Sequence, residues 1–227
     1  MNKVKNIEEC TLKIIHDLKT PIAAQIAALE SFLQTTSSKI SQEEKDLIEL
    51  TLNSCNYTQK LVDIYSVVQK LNYKSLELNY ENFDVVELIE TCIQELKILL
   101  KYYNLKILFK NNSPLIISAD KLQIRRVIEN LISNSINYAY ENTVIQIEAN
   151  IKEDNFYFLI RNKSPYIELS QLNGIFDKYK TISNCRSKNG FGLGLYLSNE
   201  IIKIHNGMMN VHSYKENINV FEFKIPL

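Results

Sequence analysis

The chain has 227 residues, and its 26 basic and 26 acidic side chains cancel to no net charge. Nothing in that bulk balance points to nucleic acid or to an anionic membrane as a partner. A hydrophobic content of 45% with only 5 Gly and 4 Pro excludes long disordered linkers, and the length suits one large domain or two small ones. Cys10, Cys55, Cys92 and Cys185 are widely spaced and form no C-x-x-C pair. Reduced thiols in a cytoplasmic protein are therefore expected, not a disulfide framework or a zinc site. There is no run of about 18 apolar residues and no signal-peptide core. A soluble chain without membrane contact of its own is expected, with a sensory or membrane part before Met1 left open.

Residues 7–34 read as a helix. Ile15, Leu18, Ile22, Ile26, Leu29 and Leu33 recur at steps of three and four and are expected to form its buried stripe. Thr35-Thr36-Ser37-Ser38 breaks the pattern. Ser41, followed by Glu43 and Glu44, reads as the N-cap of a second helix. In that helix Leu47, Leu50, Ser54, Tyr57, Leu61, Ile64, Val68 and Leu71 form a heptad seam. An antiparallel hairpin follows. One hairpin leaves apolar surface in water, so pairing with a second copy into a four-helix bundle is expected over packing within the chain.

A different texture begins near residue 79. Asn82-Phe83-Asp84 leads into an amphipathic helix over about 84–103, followed by strands at 106–109 and 115–118. Asp120 caps a long helix reaching about residue 140. Strands at 144–151 and 156–161 flank a turn at Glu153-Asp154-Asn155. A further helix starts after Gly190 and ends near His205, with Asn206-Gly207 as its cap. Strands at 208–213 and 219–225 close the chain. The expected fold is an α helical hairpin, forming a dimeric bundle, over residues 1–78. An α+β sandwich with a mostly antiparallel sheet, covered on one face by helices, is expected over 79–227.

Three groups of residues carry chemistry. His16-Asp17-Leu18-Lys19-Thr20-Pro21 places an imidazole off the buried stripe with an acid beside it. An exposed, largely neutral imidazole is a nucleophile, and Asp17 can orient it or take its proton. Pro21 removes the hydrogen bond to the Asp17 carbonyl and softens the helix there. The second group is Asn130, Asn134 and Asn137, whose amides share one helix face. A carboxamide oxygen is a hard ligand able to join phosphate oxygens around Mg²⁺. The third is Gly190-Phe191-Gly192-Leu193-Gly194-Leu195 at a helix start, where free N–H groups attract phosphate. The spacing is not that of a Walker P-loop, nor is the setting a Rossmann unit.

The first string closely resembles the phosphoacceptor motif of sensor histidine kinases, His-[Glu/Asp]-x-x-Thr-Pro. Asn130-Leu131-Ile132-Ser133-Asn134 resembles that family's N box, Gly174-Ile175-Phe176-Asp177-Lys178-Tyr179 its F box, and the Gly190 string its nucleotide-lid glycines. The likeness runs from about residue 7 to residue 227, with the motifs in family order. It implies a dimeric kinase that binds ATP and Mg²⁺, phosphorylates His16 and passes the phosphoryl group to a response-regulator receiver domain. Asp17 would assist as base, and Thr20 would help dephosphorylate the regulator. Asn130, as metal ligand, and Asn134 would hold Mg²⁺ and phosphate, and Tyr138 would pack near the adenine. Residues 178–191 would form a lid, with Lys178, Lys180, Arg186 and Lys188 reaching the phosphates beside Gly190, Gly192 and Gly194.

Two positions depart from the family pattern. Asn137 stands where many members carry a basic residue. The adenine-binding Asp-x-Gly-x-Gly is replaced by Asn162-Lys163-Ser164-Pro165-Tyr166, with Asn162 in place of the carboxylate. These changes set up the competing expectation, a nucleotide-impaired scaffold that binds regulators without catalysis.

Overall fold

The computed structural model describes residues 2–36, 40–73, 75–111, 113–181 and 192–227, with residues 2–9 described by their backbone alone. The chain divides into two compact units, Met1–Leu76 and Glu77–Leu227.

The first unit is a pair of long helices, α1 (Asn2–Thr36) and α2 (Gln42–Asn72). The start of α2 is fixed by a capping box. The Ser41 backbone N–H donates to Glu44 Oε2 at 2.8 Å, and the Glu44 N–H donates to Ser41 Oγ at 3.2 Å. The backbone bond from Ser41, aided by its hydroxyl, holds the Glu44 carboxyl below its usual range. Facing surfaces of the two helices bury Ile15, Ile22, Ile26, Val67 and Val68, with Leu29 and Leu33 half-buried. The expected stripe is corrected at one position. Leu18 is 48% exposed, and at the start of the α2 seam Leu47 and Leu50 are 64% and 66% exposed. Two helices can cover only one stripe of each other, so apolar residues beside that stripe stay in water. Lys19 Nζ reaches Asp63 Oδ1 at 2.7 Å and clips α1 to α2 one turn from His16. Both groups are partly exposed, so this pair sets orientation more than it adds stability.

The second unit is built from β1 (Tyr80–Asp84), α3 (Val85–Glu95), α4 (Lys97–Tyr102), β2 (Lys106–Phe109), β3 (Ile116–Asp120), α5 (Lys121–Tyr138), β4 (Val144–Lys152), β5 (Asn155–Lys163), α6 (Leu169–Leu172), α7 (Gly194–Ile204), β6 (Met208–Tyr214) and β7 (Ile218–Pro226). Its main sheet runs in the order β2-β4-β5-β7-β6. The sheet is mixed. β4/β5, β5/β7 and β6/β7 are antiparallel, whereas β2 lies parallel to β4. That parallel pair follows from the crossover through β3 and α5, which returns the chain to the same end of the sheet. β5 buries its alternate residues Phe156, Phe158, Ile160 and Asn162. Phe223 of β7 stacks on Phe158 with ring centroids 5.2 Å apart. Against this face lie α5, through residues such as Ile128, Ile132 and Ile136, and α7, through Ile201 and Ile202.

Two further differences from the sequence reading are local. The amphipathic stretch at 84–103 is two helices, because Leu96 adopts φ −92°, ψ 4° between α3 and α4. Tyr80–Asp84 is a strand, paired antiparallel with β3 in a separate two-stranded sheet. Asp84 Oδ1 joins these pieces by accepting N–H bonds from Val86 at 2.9 Å and Leu115 at 3.0 Å. Arg125 of α5 holds α3 in place by bridging Glu95 and Glu129. Burial beneath this layer, followed by the nearby Glu129 carboxylate, pushes the Cys92 thiol up to about 12, so it packs as a hydrophobe.

Asp120 is a junction. Its Oδ1 caps α5 by accepting from the Gln123 N–H, its Oδ2 accepts from the Asn79 N–H, and its own N–H donates to His205 Nε2 at 3.2 Å. His205 Nδ1 lies 2.8 Å from the Ile201 carbonyl. This pattern requires the neutral Nδ1–H tautomer, with Nε2 accepting. Burial accordingly lowers the His205 pKa below its usual 6.5. Below pH 6.5 the unfolded chain takes up a proton that the folded chain refuses, so this contribution to stability is lost as pH falls. The melting temperature of the second unit is therefore expected to drop between pH 7.5 and 5.5, and His205→Gln is expected to flatten that slope. An unchanged slope in the variant would refute the assignment.

Candidate phosphoacceptor and nucleotide site

In the first unit, His16 sits in α1 with its side chain 80% exposed, and its Nδ1 lies 3.6 Å from Asp17 Oδ1. That separation is too long for a hydrogen bond, so the acid is an electrostatic neighbour available to tighten onto a charged ring. Thr20 is exposed one turn further on, on the same face as His16, and Pro21 follows inside the helix. Among the described residues of this unit the imidazole stays open to solvent, which leaves it accessible to a reactant. Asp63, which holds Lys19 beside this site, was not legible in the sequence because nothing there pairs α1 with α2 residue by residue.

In the second unit, α5 presents Asn130, Asn134, Asn137 and Tyr138, all half-buried. Asn130 Nδ2 donates to Ser198 Oγ of α7 at 2.9 Å. This fixes which end of the amide is engaged and leaves Oδ1 directed at Gly194. A Cβ at Gly194 would overlap Asn130 Oδ1, so the first turn of α7 can lie this close to α5 only with glycine there. Ser198 was missed in the sequence, although a serine inside the buried face of an otherwise apolar helix is a signal that could have found it.

Gly192 has φ +64°, and its carbonyl accepts the Tyr179 N–H at 3.0 Å. A side chain at Gly192 would overlap the backbone of Tyr179 and Lys180. The two stems flanking residues 182–191 are thus pinned to each other. Lys178 Nζ stands 4.8 Å from the Tyr196 ring centroid, a cation–π contact that holds one lysine at the start of α7, and Lys180 is exposed. Arg186, Lys188 and Gly190 lie outside the described residues, as does Cys185.

Asn162 ends the buried face of β5 and is 2% exposed. Among the described residues neither its Oδ1 nor its Nδ2 has a hydrogen-bond partner, and the same holds for Asn219 Oδ1 and Ser135 Oγ. Asn219 lies directly opposite Asn162 in β7. Its Nδ2 donates to Ser164 Oγ at 2.6 Å and to the Pro165 carbonyl at 3.0 Å. The Tyr166 N–H donates to Asn217 Oδ1, and the Ser164 N–H to the Asn217 carbonyl. The loop after β5 therefore gains its shape from asparagines of the β6–β7 side. None of its residues 162–167 has a positive φ. Buried polar atoms left unpaired cost on the order of 1–3 kcal/mol each, so this cluster is a place where a polar ligand can be repaid.

Among the described residues, no cluster of His, Cys, Asp and Glu has metal-binding form, and no helix is long and apolar enough to cross a membrane. The Asn130 amide oxygen is a hard, neutral donor of the kind that, with phosphate oxygens, suits Mg²⁺.

Residues 119–227 match the family model described as histidine kinase-, DNA gyrase B-, and HSP90-like ATPase. Among characterised relatives, the sensor protein VanS of Enterococcus faecium is 24% identical over 220 residues, covering 96% of this chain and 56% of VanS. The sensor histidine kinase HprS of Escherichia coli (strain K12) is 30% identical over 221 residues, covering 94% of this chain and 46% of HprS. The chain thus spans about half the length of these relatives. Among solved structures, full-length ShkA in complex with AMPPNP superposes with a TM-score of 0.78 at 19% identity, over 96% of this chain and 45% of that one. With an exposed histidine on one unit and amides and glycines on the other, the chain carries a histidine kinase-, DNA gyrase B-, and HSP90-like ATPase domain over residues 119–227 and is similar to sensor histidine kinases across nearly its whole length.

Proposed function

We propose that this chain is a kinase core that binds ATP with Mg²⁺ in its second unit and transfers the γ-phosphoryl group to His16. The observation that carries this reading is the exposed imidazole beside Asp17, in one chain with the matched ATPase domain. Asp17 faces Nδ1, favours the Nδ1–H tautomer and leaves the Nε2 lone pair as nucleophile. A bond forms from Nε2 to the γ-phosphorus while the bond from that phosphorus to the bridging oxygen of ADP breaks. The ring is then cationic until its Nδ1 proton passes to Asp17 or to water.

The complex of ShkA with AMPPNP supports a nucleotide in this fold. Bound Mg²⁺ would neutralise charge on the transferring phosphate. Asn130 is oriented for it through Ser198, and Asn134 and Asn137 extend the same face toward phosphate. Tyr138 packs by the base, and Asn162 recognises it. The N–H groups at Gly190, Gly192 and Gly194 receive phosphate oxygens, with Lys178, Lys180, Arg186 and Lys188 as the neighbouring cations. The phosphoryl group then moves to an aspartate of a response-regulator receiver domain docked on the hairpin, where Thr20 also assists attack of water on that aspartyl phosphate, releasing inorganic phosphate. The free thiols Cys10, Cys55 and Cys92 suit the cytoplasm, where such a regulator would be met.

Incubation with Mg²⁺ and γ-labelled ATP tests this reading. Acid-labile, base-stable label on the chain is expected. Its absence, where a related kinase labels well, would reduce the chain to a regulator-binding scaffold.

The working form is a homodimer. Ile14, Leu18 and Phe32 lie within about 40° of one another around α1 at 100° per residue, beside the packed stripe, and all three are exposed. Leu47 and Leu50 extend exposed apolar surface onto α2. Covering these faces with a second copy closes a four-helix bundle. Light scattering at micromolar concentration is expected to give twice the chain mass, and Leu18→Glu with Leu50→Glu to give the mass of one chain. A wild-type monomer would sink the dimer.

A further inference from the structure

A buried amide with no partner is expensive to keep, and among the described residues the Asn162 amide has none for either of its ends. It lies on the helix-facing side of the sheet, in line with Phe158 and Ile160, at the point where β5 gives way to a loop. The end of α5 is fastened next to it, since the Tyr140 N–H donates to the Lys163 carbonyl at 2.8 Å. Two other unpartnered polar atoms belong to the same helix–sheet layer: Ser135 Oγ on α5, immediately after Asn134, and Asn219 Oδ1, across the strand pair from Asn162. The Asn219 amide cannot turn to pair with Asn162 freely, because its Nδ2 is held by Ser164 and Pro165. The layer thus offers a donor–acceptor pair on Asn162, an acceptor on Asn219 and a hydroxyl on Ser135.

A carboxylate at position 162 would only accept, and would select a base carrying an amino group opposite it. An amide both accepts and donates, and it can be turned over. In one orientation Oδ1 accepts from the 6-amino group of adenine while Nδ2 donates to N1. Turned over, Nδ2 donates to the 6-oxo oxygen of guanine or hypoxanthine while Oδ1 accepts from N1–H. Guanine additionally presents its 2-amino group, for which the free Asn219 Oδ1 is an acceptor. We propose that the paired amides Asn162 and Asn219 form a base subsite of reversible hydrogen-bond polarity, so that 6-oxopurine triphosphates bind this chain alongside ATP. This inference rests on the nucleotide-binding reading above and concerns only which purines that site takes.

The test is equilibrium binding by calorimetry on the full chain, with Mg²⁺ and ATP, GTP, ITP or CTP, read independently of phosphorylation. A two-bond base contact discriminates by roughly 10- to 100-fold, so GTP and ITP are expected within about tenfold of ATP, and CTP weaker than all three. Asn162→Asp is expected to hold ATP and to weaken GTP and ITP by about tenfold or more, because the acceptor it retains meets a 6-oxo acceptor. The wild-type ratios decide the matter even if that variant folds poorly. ATP binding with GTP and ITP weaker by more than tenfold would overturn the dual-purine subsite alone. Binding of CTP as tight as GTP would overturn it by showing that the base is not read. No binding of any triphosphate would overturn both this inference and the kinase reading.

Discussion

Replacing His16 by Gln is expected to remove phosphoryl incorporation from labelled ATP by at least about 10³-fold, leaving nucleotide affinity unchanged. The size follows from chemistry, because a carboxamide nitrogen has no basic lone pair and cannot substitute for imidazole in attack on phosphorus. The selectivity follows from geometry. The His16 side chain is 80% exposed and Asp17, beside it, is exposed as well, so its replacement opens no cavity and strands no buried group. A change at such a position moves stability by about 0.5 kcal/mol or less. Labelling and thermal unfolding on the same preparation separate the two effects. Label that persists in the variant would place the acceptor elsewhere.

Gly194→Ala is expected to weaken ATP binding by tenfold or more and to destabilise the second unit by about 1–3 kcal/mol. Two opposing terms meet here. Gly194 opens α7 without a positive φ, so alanine would gain up to about 1 kcal/mol of helix propensity. Against that, the new Cβ would overlap Asn130 Oδ1, with Cγ and Nδ2 of the same amide at 3.1 and 3.3 Å. The amide cannot swing aside cheaply, because doing so breaks its bond to Ser198 and leaves a buried hydroxyl alone. Overlap therefore outweighs propensity. Gly174→Ala is the matched control, since its nearest obstacle is the Asp177 carboxylate at 2.8 Å, the end of an exposed side chain that can move. Calorimetric titration of both variants distinguishes them, and wild-type affinity in Gly194→Ala would mean that the α5–α7 approach is not part of the nucleotide site.

Much of this was legible because local chemistry announced it. Ser41 with Glu44 marked the start of α2, Asp120 the start of α5, and Asn206 with Gly207 the end of α7, where Asn206 has φ 58° and the Gly207 N–H returns to the Ile202 carbonyl. Amides at steps of three and four were expected to share one face of α5, and Asn130, Asn134 and Asn137 are all half-buried there. What escaped was whatever depends on a distant partner. β1 carries a single buried residue, Phe83, and its pairing with β3 lies more than thirty positions along the chain. Leu96 separates α3 from α4 with neither Gly nor Pro to signal it. The heptad pattern found the apolar residues of the hairpin but could not say which stripe one partner helix would cover. Ser198 and Asn219 matter through contacts 68 and 55 positions away, to Asn130 and Ser164, and no short motif encodes those.

The junction at Asp120 also bears on where the second unit can be cut. The match to the ATPase family model begins at residue 119, which invites expression of the chain from there onward. Such a fragment would leave Asp120 without the Asn79 N–H, strip the strand that shields Ile117 and Ala119, and remove all of α3 from above α5. The ATPase-family match and the compact unit therefore have different borders in this protein, and the compact unit, Glu77–Leu227, is some forty residues longer than the matched 119–227.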